Sequence, residues 1–410
     1  MADKKYTFWH HRFFVILIRM FIGPFFKYHY RFKAPSIQIK KTGPYLILAN
    51  HTAEFDIVFL GMLFDTPMYF VASDQLLNSG KGSWVLKTLF NPIPKSKSVA
   101  DLAVVKRIKS VINEGGNVVI FPEGNSSMNG GPSIIPDGMG RLIKFLKVPV
   151  KFIEIKGLYL SSPRWSYFRK YGPTTMQEIK SLSVAESDKL SPEAIDTLVR
   201  TTLSISAYEG NPHHFRGKRI AEGLHKLIFT CPQCNGLFTT YSKDDELLCH
   251  QCSFRGQYST LGTLKINDKS ENLIMRDQEN LQRFHKIMLR HSPKFQYQAP
   301  IEVAFWSGGN TKRTKFEKGK LQISENGLKL SLISQTIQFS YHDIFASAIQ
   351  VRTKLLLYPL SGPMLLCRFP RSFSPYAILN IIKWYQTKLI KGANTYEQFH
   401  DRPASTFLGL

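Results

Sequence analysis

Four short and mainly apolar runs mark the first half of the chain: Tyr45–Ala49, Met68–Ala72, Asn117–Phe121 and, with Lys151 and Glu154 within it, Val148–Ile155. Apolar runs of this length without alternation predict strands buried on both faces, as in a parallel sheet covered by helices. Helical spacing lies between them at Gly82–Phe90, at Val99–Glu114 (closed by Gly115-Gly116) and at Arg141–Leu146. Asn91-Pro92-Ile93-Pro94 reads as a rigid turn, and residues 128–138, rich in Gly, Pro and Asn, as a loop. Residues 172–190 read as one more strand and a polar connection. Ser191-Pro192-Glu193 then opens a helix expected to reach about Tyr208, with Ser as N-cap, Pro at the first position and an acid in the first turn. Alternating strands and helices predict an α/β domain, a mixed sheet flanked by helices, over residues 41–215, with Asn211–Lys218 as a linker.

After residue 261 the pattern changes. Glu279–Leu289 has helical spacing. Short alternating runs follow at Ile301–Trp306, Lys315–Ile323, Leu328–Leu332, Thr336–Phe339, Ala346–Val351, Leu355–Tyr358 and Met364–Phe369, with Glu325-Asn326-Gly327 as a hairpin turn. An amphipathic helix, Pro375–Leu389, ends the series. These strands and the closing helix resemble, in pattern, pleckstrin-homology-like domains and predict a mainly-β region over residues 296–392.

The amino terminus is different again. Residues 1–41 hold nine Lys and Arg against one acid, Asp3. Within them Phe13–Phe26 is nearly all apolar, but Arg19 and Gly23-Pro24 interrupt it, and it is too short to span a bilayer. Trp9, His10, His11 and Arg12 precede the run, and Lys27, Tyr28, Tyr30 and Arg31 follow it. Cations and aromatics flanking a short apolar helix predict a membrane-interfacial segment over residues 1–40; a core helix followed by a basic loop is the alternative.

The chemistry gathers at the ends of two predicted strands. The first ends in Asn50-His51, with Asp56 five residues beyond His51. On a regular helix His51 and Asp56 stand about 140° apart, so they pair only if the first turn after the strand is irregular or His51 precedes the helix. Paired, the carboxylate fixes one imidazole nitrogen and leaves the other to take a proton. The second strand runs into Phe121-Pro122-Glu123-Gly124-Asn125-Ser126-Ser127. Two strands that each end in polar residues are how an open α/β sheet builds a site. Ser126 and Ser127 lack a Gly-x-Ser-x-Gly elbow and read as capping or substrate-bonding residues rather than nucleophiles.

Asn50-His51-x4-Asp56 followed by Phe121-Pro122-Glu123-Gly124, in this order and spacing and with Val148-Pro149-Val150 beyond, resembles the glycerolipid (PlsC-type) acyltransferase family over roughly residues 10–210. The resemblance implies transfer of an acyl group from acyl-CoA or acyl carrier protein to a lipid hydroxyl. His51 is then the general base, Asp56 its partner, and Glu123, Gly124, Asn125 and Ser126 contact substrate. The family carries an arginine in the turn where this chain has Lys95 and Lys97, and another where it has Ser126. Lysine holds phosphate as a point charge, without the bidentate fork. These departures leave lysophosphatidate, another lysophospholipid or another lipid alcohol open as acceptor. Arg164, in the aromatic loop Tyr159–Tyr167, either meets an anionic headgroup or stacks on Trp165.

Cysteine spacing adds a metal. Cys231-x2-Cys234 and Cys249-x2-Cys252, fourteen residues apart, have zinc-ribbon spacing and predict a structural Zn2+ site in a module spanning 225–260. Thiolate ligands need a reducing compartment, and Cys367 remains as a small buried hydrophobe. The formal charge of +24 calls for an anionic partner. A nucleic-acid-binding zinc protein answers to that charge, as does a lipid-binding scaffold that keeps the fold without the chemistry. The two strand-end motifs and the apolar amino-terminal run favour an acyltransferase on the cytoplasmic face of a membrane, peripheral or monotopic, acting at an anionic lipid surface.

Overall fold

The computed structural model describes Thr7 and residues 9–34, 43–64, 67–73, 91–95, 102–291, 294–306, 313–350 and 352–391. The helix expected at Gly82–Phe90, Lys97, and the start of the helix expected from Val99 lie outside the described residues. The chain forms two compact units, one built on residues up to Pro163 and Tyr171–Phe215, the other on Arg164–Lys170 and Arg216 onward.

The first unit opens with α1 (Trp9–Phe21) and α2 (Gly23–His29), separated at Ile22 just before Gly23-Pro24. Then come β1 (Leu46–Ala49), α3 (Asp56–Leu63), β2 (Met68–Ser73), β3 (Ile93–Lys95), α4 (Leu102–Asn113), β4 (Asn117–Ile120), α5 (Met139–Leu146), β5 (Val150–Lys156), the short α6 (Leu158–Ser161), β6 (Thr175–Leu182), α7 (Val184–Lys189) and α8 (Pro192–Thr202). The strands form one six-stranded sheet in the order β3-β2-β4-β1-β5-β6, parallel except for antiparallel β6 at one edge. The fold is a mixed α/β sheet flanked by helices, as the pattern of apolar runs predicts.

Burial on both faces explains the unbroken apolar strands. Leu46 and Leu48 of β1 enter the core under α4, α5 and α8, while Ile47 and Ala49 enter the one under α2 and α3. In α4 the buried set is Val104, Val105, Ile108, Val111 and Ile112, one face of the helix. The helix ends where Gly115 turns left-handed (φ +82°) and the Gly115 and Gly116 amides donate to Ile112 and Val111 carbonyls. Ser191 caps α8 as expected, its hydroxyl accepting from Ala194 N at 3.1 Å.

Two expectations need correction. The helix α8 stops at Thr202, not Tyr208: the Ala207 amide donates to Gly130 O (2.8 Å) and the Tyr208 hydroxyl to Asn129 O (3.2 Å), so this stretch packs on the 128–131 loop. The Pro-rich turn at 91–94 is in part a strand, since Ile93 and Pro94 pair with Val71 and Ala72 at the sheet edge, where a missing amide is tolerated.

The second unit contains two sheets. Strands β7 (Thr240–Lys243), β8 (Glu246–Cys249), β9 (Arg255–Tyr258), β10 (Thr263–Ile266) and β11 (Lys269–Asn272) form an antiparallel meander. The β10–β11 hairpin turns at Asn267, whose φ is +52°. The helix α9 (Leu273–His291) follows, and its Asn280 accepts from the Phe229 and Thr230 amides at 3.0 Å while donating to Leu227 O at 3.1 Å. Then come β12 (Gln296–Trp306), β13 (Glu317–Ser324), β14 (Gly327–Leu332), β15 (Thr336–Phe339), β16 (Ile344–Gln350), β17 (Lys354–Pro359), β18 (Met364–Arg368) and α10 (Pro375–Lys391). All seven of these strands, predicted to within a few residues, form one sheet in the order β15-β14-β13-β12-β18-β17-β16.

Candidate active site and cysteine cluster

The parallel strands β1 and β4 are neighbours, Leu48 opposite Ile120, so the polar residues that follow them emerge at the same end of the sheet. Asn50 fixes the first exit. Its Nδ2 donates to Ile155 O at 3.0 Å and its Oδ1 accepts from Ile155 N at 2.8 Å, so a side-chain amide carries the β1–β5 ladder one step further.

His51 follows in a loop, and Asp56 opens α3. That placement avoids the helical geometry in which the two diverge. His51 Nδ1 lies 2.9 Å from Asp56 Oδ2. Asp56 is fully buried and also accepts from Thr52 N (2.6 Å), Thr52 Oγ1 (2.8 Å) and Ala53 N (3.0 Å). Four donors thus converge on one carboxylate, and Nδ1–H of His51 is among them. The imidazole's Nε2 is then the basic nitrogen, and no hydrogen bond holds it among the described residues. The ring also stacks on Phe121, with centroids 4.4 Å apart and planes at 21°. Its backbone N donates to Glu123 Oε1 at 3.2 Å, and its carbonyl accepts from Ser127 N at 3.0 Å. The side chain keeps 22% of its surface exposed, so the anchored imidazole still meets solvent.

Glu123 sits at the exit of β4, where Gly124 (φ +69°) closes a turn by donating to Phe121 O at 3.0 Å. Burial pushes the Glu123 carboxyl up to about 8, against the hydrogen bonds from His51 N and Ser133 that pull it down; nearby Asp56 adds to the rise. At neutral pH this group is mainly protonated. An acid with a raised folded-state pKa stabilises the fold fully below the ordinary carboxyl range, and that contribution is lost as pH rises through about 8. The stability of Glu123→Gln is therefore expected to gain on the parent's between pH 5 and 8.5, by on the order of a few kcal/mol, read as a rising melting temperature relative to the parent. A difference independent of pH in thermal melts contradicts the assignment.

The other predicted site residues are placed as follows. Asn125 and Ser126 continue the turn after Gly124, partly buried. Ser127 serves the loop: its hydroxyl donates to Gly131 O (2.7 Å) and accepts from Gly130 N (2.9 Å). Lys95 ends β3, two strands from β4 at the same end of the sheet. Arg164 belongs to the second unit, where its guanidinium donates to Ile349 O. Sequence reasoning missed Thr52 and Ser133. A hydroxyl directly after the histidine, within reach of the next helix start, was the available signal for Thr52.

In the second unit the sulfurs of Cys231, Cys234, Cys249 and Cys252 all lie within 4.8 Å of one another. The amides of Gln233 and Cys234 point at Cys231 Sγ (3.4 and 3.5 Å) and that of Gln251 at Cys249 Sγ (3.3 Å), an arrangement that stabilises thiolates. Four sulfurs grouped in this way could hold a metal, and an all-thiolate set suits zinc.

The segment that carries both strand ends, residues 33–155, matches the model of the family described as Acyltransferase. Over this segment the chain is similar to the Acyltransferase family. The matched segment contains His51, Asp56 and Glu123, and it ends within β5, before the second unit begins. Among solved structures, the chain is similar to the 1-acyl-sn-glycerophosphate (LPA) acyltransferase PlsC from Thermotoga maritima. The identity is 17%, the similarity covers 47% of this chain and 78% of that one, and the TM-score is 0.41. No curated protein matches the chain.

Proposed function

We propose that the protein transfers a fatty acyl group from an acyl thioester, acyl-CoA or acyl carrier protein, to a hydroxyl of lysophosphatidate or another lysophospholipid. The observation that carries this reading is the imidazole of His51, bonded through Nδ1 to buried Asp56 with Nε2 unengaged, beside Glu123 at one end of the sheet.

The acceptor hydroxyl is a poor nucleophile until it loses its proton. His51 Nε2 takes that proton as the oxygen attacks the thioester carbonyl, and Asp56 stabilises the imidazolium. The tetrahedral intermediate collapses by breaking the C–S bond, and the imidazolium returns the proton to the departing thiolate. The donor is already activated, so no acyl-enzyme is required. Backbone amides at Gly124–Ser126 and the lysines at 95 and 97 are the candidate donors to the oxyanion. Glu123, mainly neutral at pH 7, braces the His51 backbone and has a proton to offer an acceptor hydroxyl.

Membrane contact is assigned to the amino-terminal helices. Phe26 and Tyr30 are buried and pack against Phe59 of α3, with ring centroids 4.5 and 5.3 Å away. Phe13, Ile16, Met20, Phe21, Ile22, Phe25 and Tyr28 are instead exposed, Phe21 by 72% and Tyr28 by 80%. Exposed Arg12, Lys27 and Arg31 accompany them. An apolar face rimmed by cations suits the interface of an anionic bilayer. No helix among the described residues is long and apolar enough to cross one.

In the second unit the cysteine set is assigned a structural Zn2+. The seven-stranded sheet, in chain order 4-3-2-1-7-6-5 with a helix after the last strand, supports the pleckstrin-homology-like reading.

The test is direct. Purified protein is mixed with acyl-CoA or acyl carrier protein and with anionic vesicles containing a panel of lysolipids, and products are read by mass spectrometry. A diacyl product is expected, with the protein sedimenting alongside the vesicles; the double substitution Met20→Glu, Phe21→Glu releases it. Absence of product from every pair, with the protein folded, leaves a lipid-binding scaffold. A gel shift with DNA and no vesicle binding leaves the nucleic-acid reading.

A further inference from the structure

The second unit contains a cleft that acyl transfer does not use. Its volume is about 410 Å3, within the range of small-molecule sites. Two ring pairs stack in its lining: Tyr241 on His250 with centroids 4.1 Å apart, and Phe238 on Tyr297 at the same separation. Two guanidinium groups lie over further rings, Arg371 at 5.1 Å from the centre of Tyr167 and Arg219 at 4.8 Å from that of Phe168.

Buried polar groups build one wall. Lys226 Nζ donates to Arg371 O at 2.7 Å and to Phe373 O at 2.8 Å, and His225 Nε2 reaches Arg371 O at 3.2 Å. Ser374 Oγ closes the arrangement by donating to Lys226 O at 2.6 Å. Burying a lysine amine is unfavourable unless it is well bonded, so it is a poor way merely to fill a core. Here it fixes the 371–374 loop and turns the Arg371 carbonyl inward, while the Arg371 residue stays exposed at the cleft.

Part of the polar lining is committed elsewhere. Glu222, the one carboxylate in it, accepts from Arg219 at 2.7 Å. Thr240 donates to Ile228 O at 2.6 Å, and Ser242 accepts from Gly223 N at 2.8 Å. Arg371 has no carboxylate partner among the described residues. A ligand entering this cleft meets aromatic rings and one guanidinium without a carboxylate partner among the described residues.

We propose that the cleft binds a nucleoside phosphate, its base against the aromatic lining and its phosphate on Arg371, with little preference among purines. A free nucleotide and the nucleotide end of coenzyme A offer the same chemistry. The proposal concerns binding by the second unit and stands whether or not the first unit transfers acyl groups.

Isothermal titration of the full-length, zinc-loaded protein tests it. AMP is expected to bind, GMP within about threefold of it, and adenosine and inorganic phosphate each at least ~10-fold more weakly. Arg371→Met is expected to weaken AMP by ~10-fold or more with the near-ultraviolet circular dichroism unchanged, because the buried bonds use the backbone carbonyl of residue 371. His51→Ala is expected to bind AMP as the parent does. Coenzyme A that displaces AMP identifies itself as the source of the nucleotide; coenzyme A that does not displace it leaves the free nucleotide. No AMP binding at millimolar concentration, AMP binding untouched by Arg371→Met, or phosphate binding as tightly as AMP overturns the proposal.

Discussion

Replacing His51 by alanine is expected to lower acyl transfer about 10²–10⁴-fold while leaving the melting temperature close to the parent's. The loop around His51 is held largely by its backbone. The amide donates to Glu123 and the carbonyl accepts from Ser127, and alanine preserves both. Asp56 keeps the two bonds from Thr52 and the one from Ala53. What disappears is the basic nitrogen and the ring stacked on Phe121. The loss belongs in kcat, since the proton moves only as the transition state forms, with little change in KM for the thioester. Steady-state kinetics with the accepting lysolipid checks this. A folded alanine variant with parental kcat removes His51 from the mechanism.

Asp56 is a different experiment, because four donors depend on it and none of its surface is exposed. Loss of activity in an Asp56 variant therefore mixes chemistry with unfolding, and His51 is the cleaner probe.

The second large effect is expected at the cysteines. Replacing Cys231 and Cys252 together by serine should abolish zinc binding and collapse the ribbon. Structural zinc contributes about 10–16 kcal/mol to small zinc modules, as much as the whole stability of a typical domain at about 5–15 kcal/mol. The damage should spread, because Asn280 of α9 bonds the amides just before Cys231 and Lys226 holds the 371–374 loop. One zinc per chain, released by a thiol-reactive reagent and counted with a colorimetric chelator, is the expected stoichiometry for the parent. Limited proteolysis should then cut the serine variant within residues 216–391 under conditions that spare the parent. A metal-free parent that resists protease equally well rules out zinc as the staple.

Much of this was written in the chain, and the reasons differ from place to place. The central strands were legible because burial on both faces removes polar residues from them, leaving runs such as Leu46–Ala49 that have no other use. The seven strands of the C-terminal sheet were legible because alternation and the Asn326-Gly327 turn set their register. The His51–Asp56 pair was visible as a spacing, but its geometry was not: pairing requires an irregular turn that Thr52 and Ala53 stabilise by donating to the same carboxylate. The β10–β11 hairpin was missed because its strands carry few apolar residues. The true end of α8 was hidden because Ala207 and Tyr208 pair with a loop almost eighty residues earlier in sequence, a contact that no local pattern encodes. Arg164, read from an aromatic and basic loop near the end of β5 as either a headgroup contact or a residue stacked on Trp165, falls in the second unit.

That residue introduces a segment with a practical bearing. The chain leaves its first unit at Pro163, gives the seven residues Arg164–Lys170 to the second, and returns at Tyr171. Trp165, without exposed surface, meets Tyr258 edge-on and lies beneath the Lys170 ammonium. Scissors applied after Phe215 would therefore not release a self-sufficient amino-terminal half: the severed piece would carry an indole stripped of its cover, and the remainder would lack a wall of its own interior. The two halves of this molecule are interleaved along the thread, and anyone dissecting it must take the loan into account.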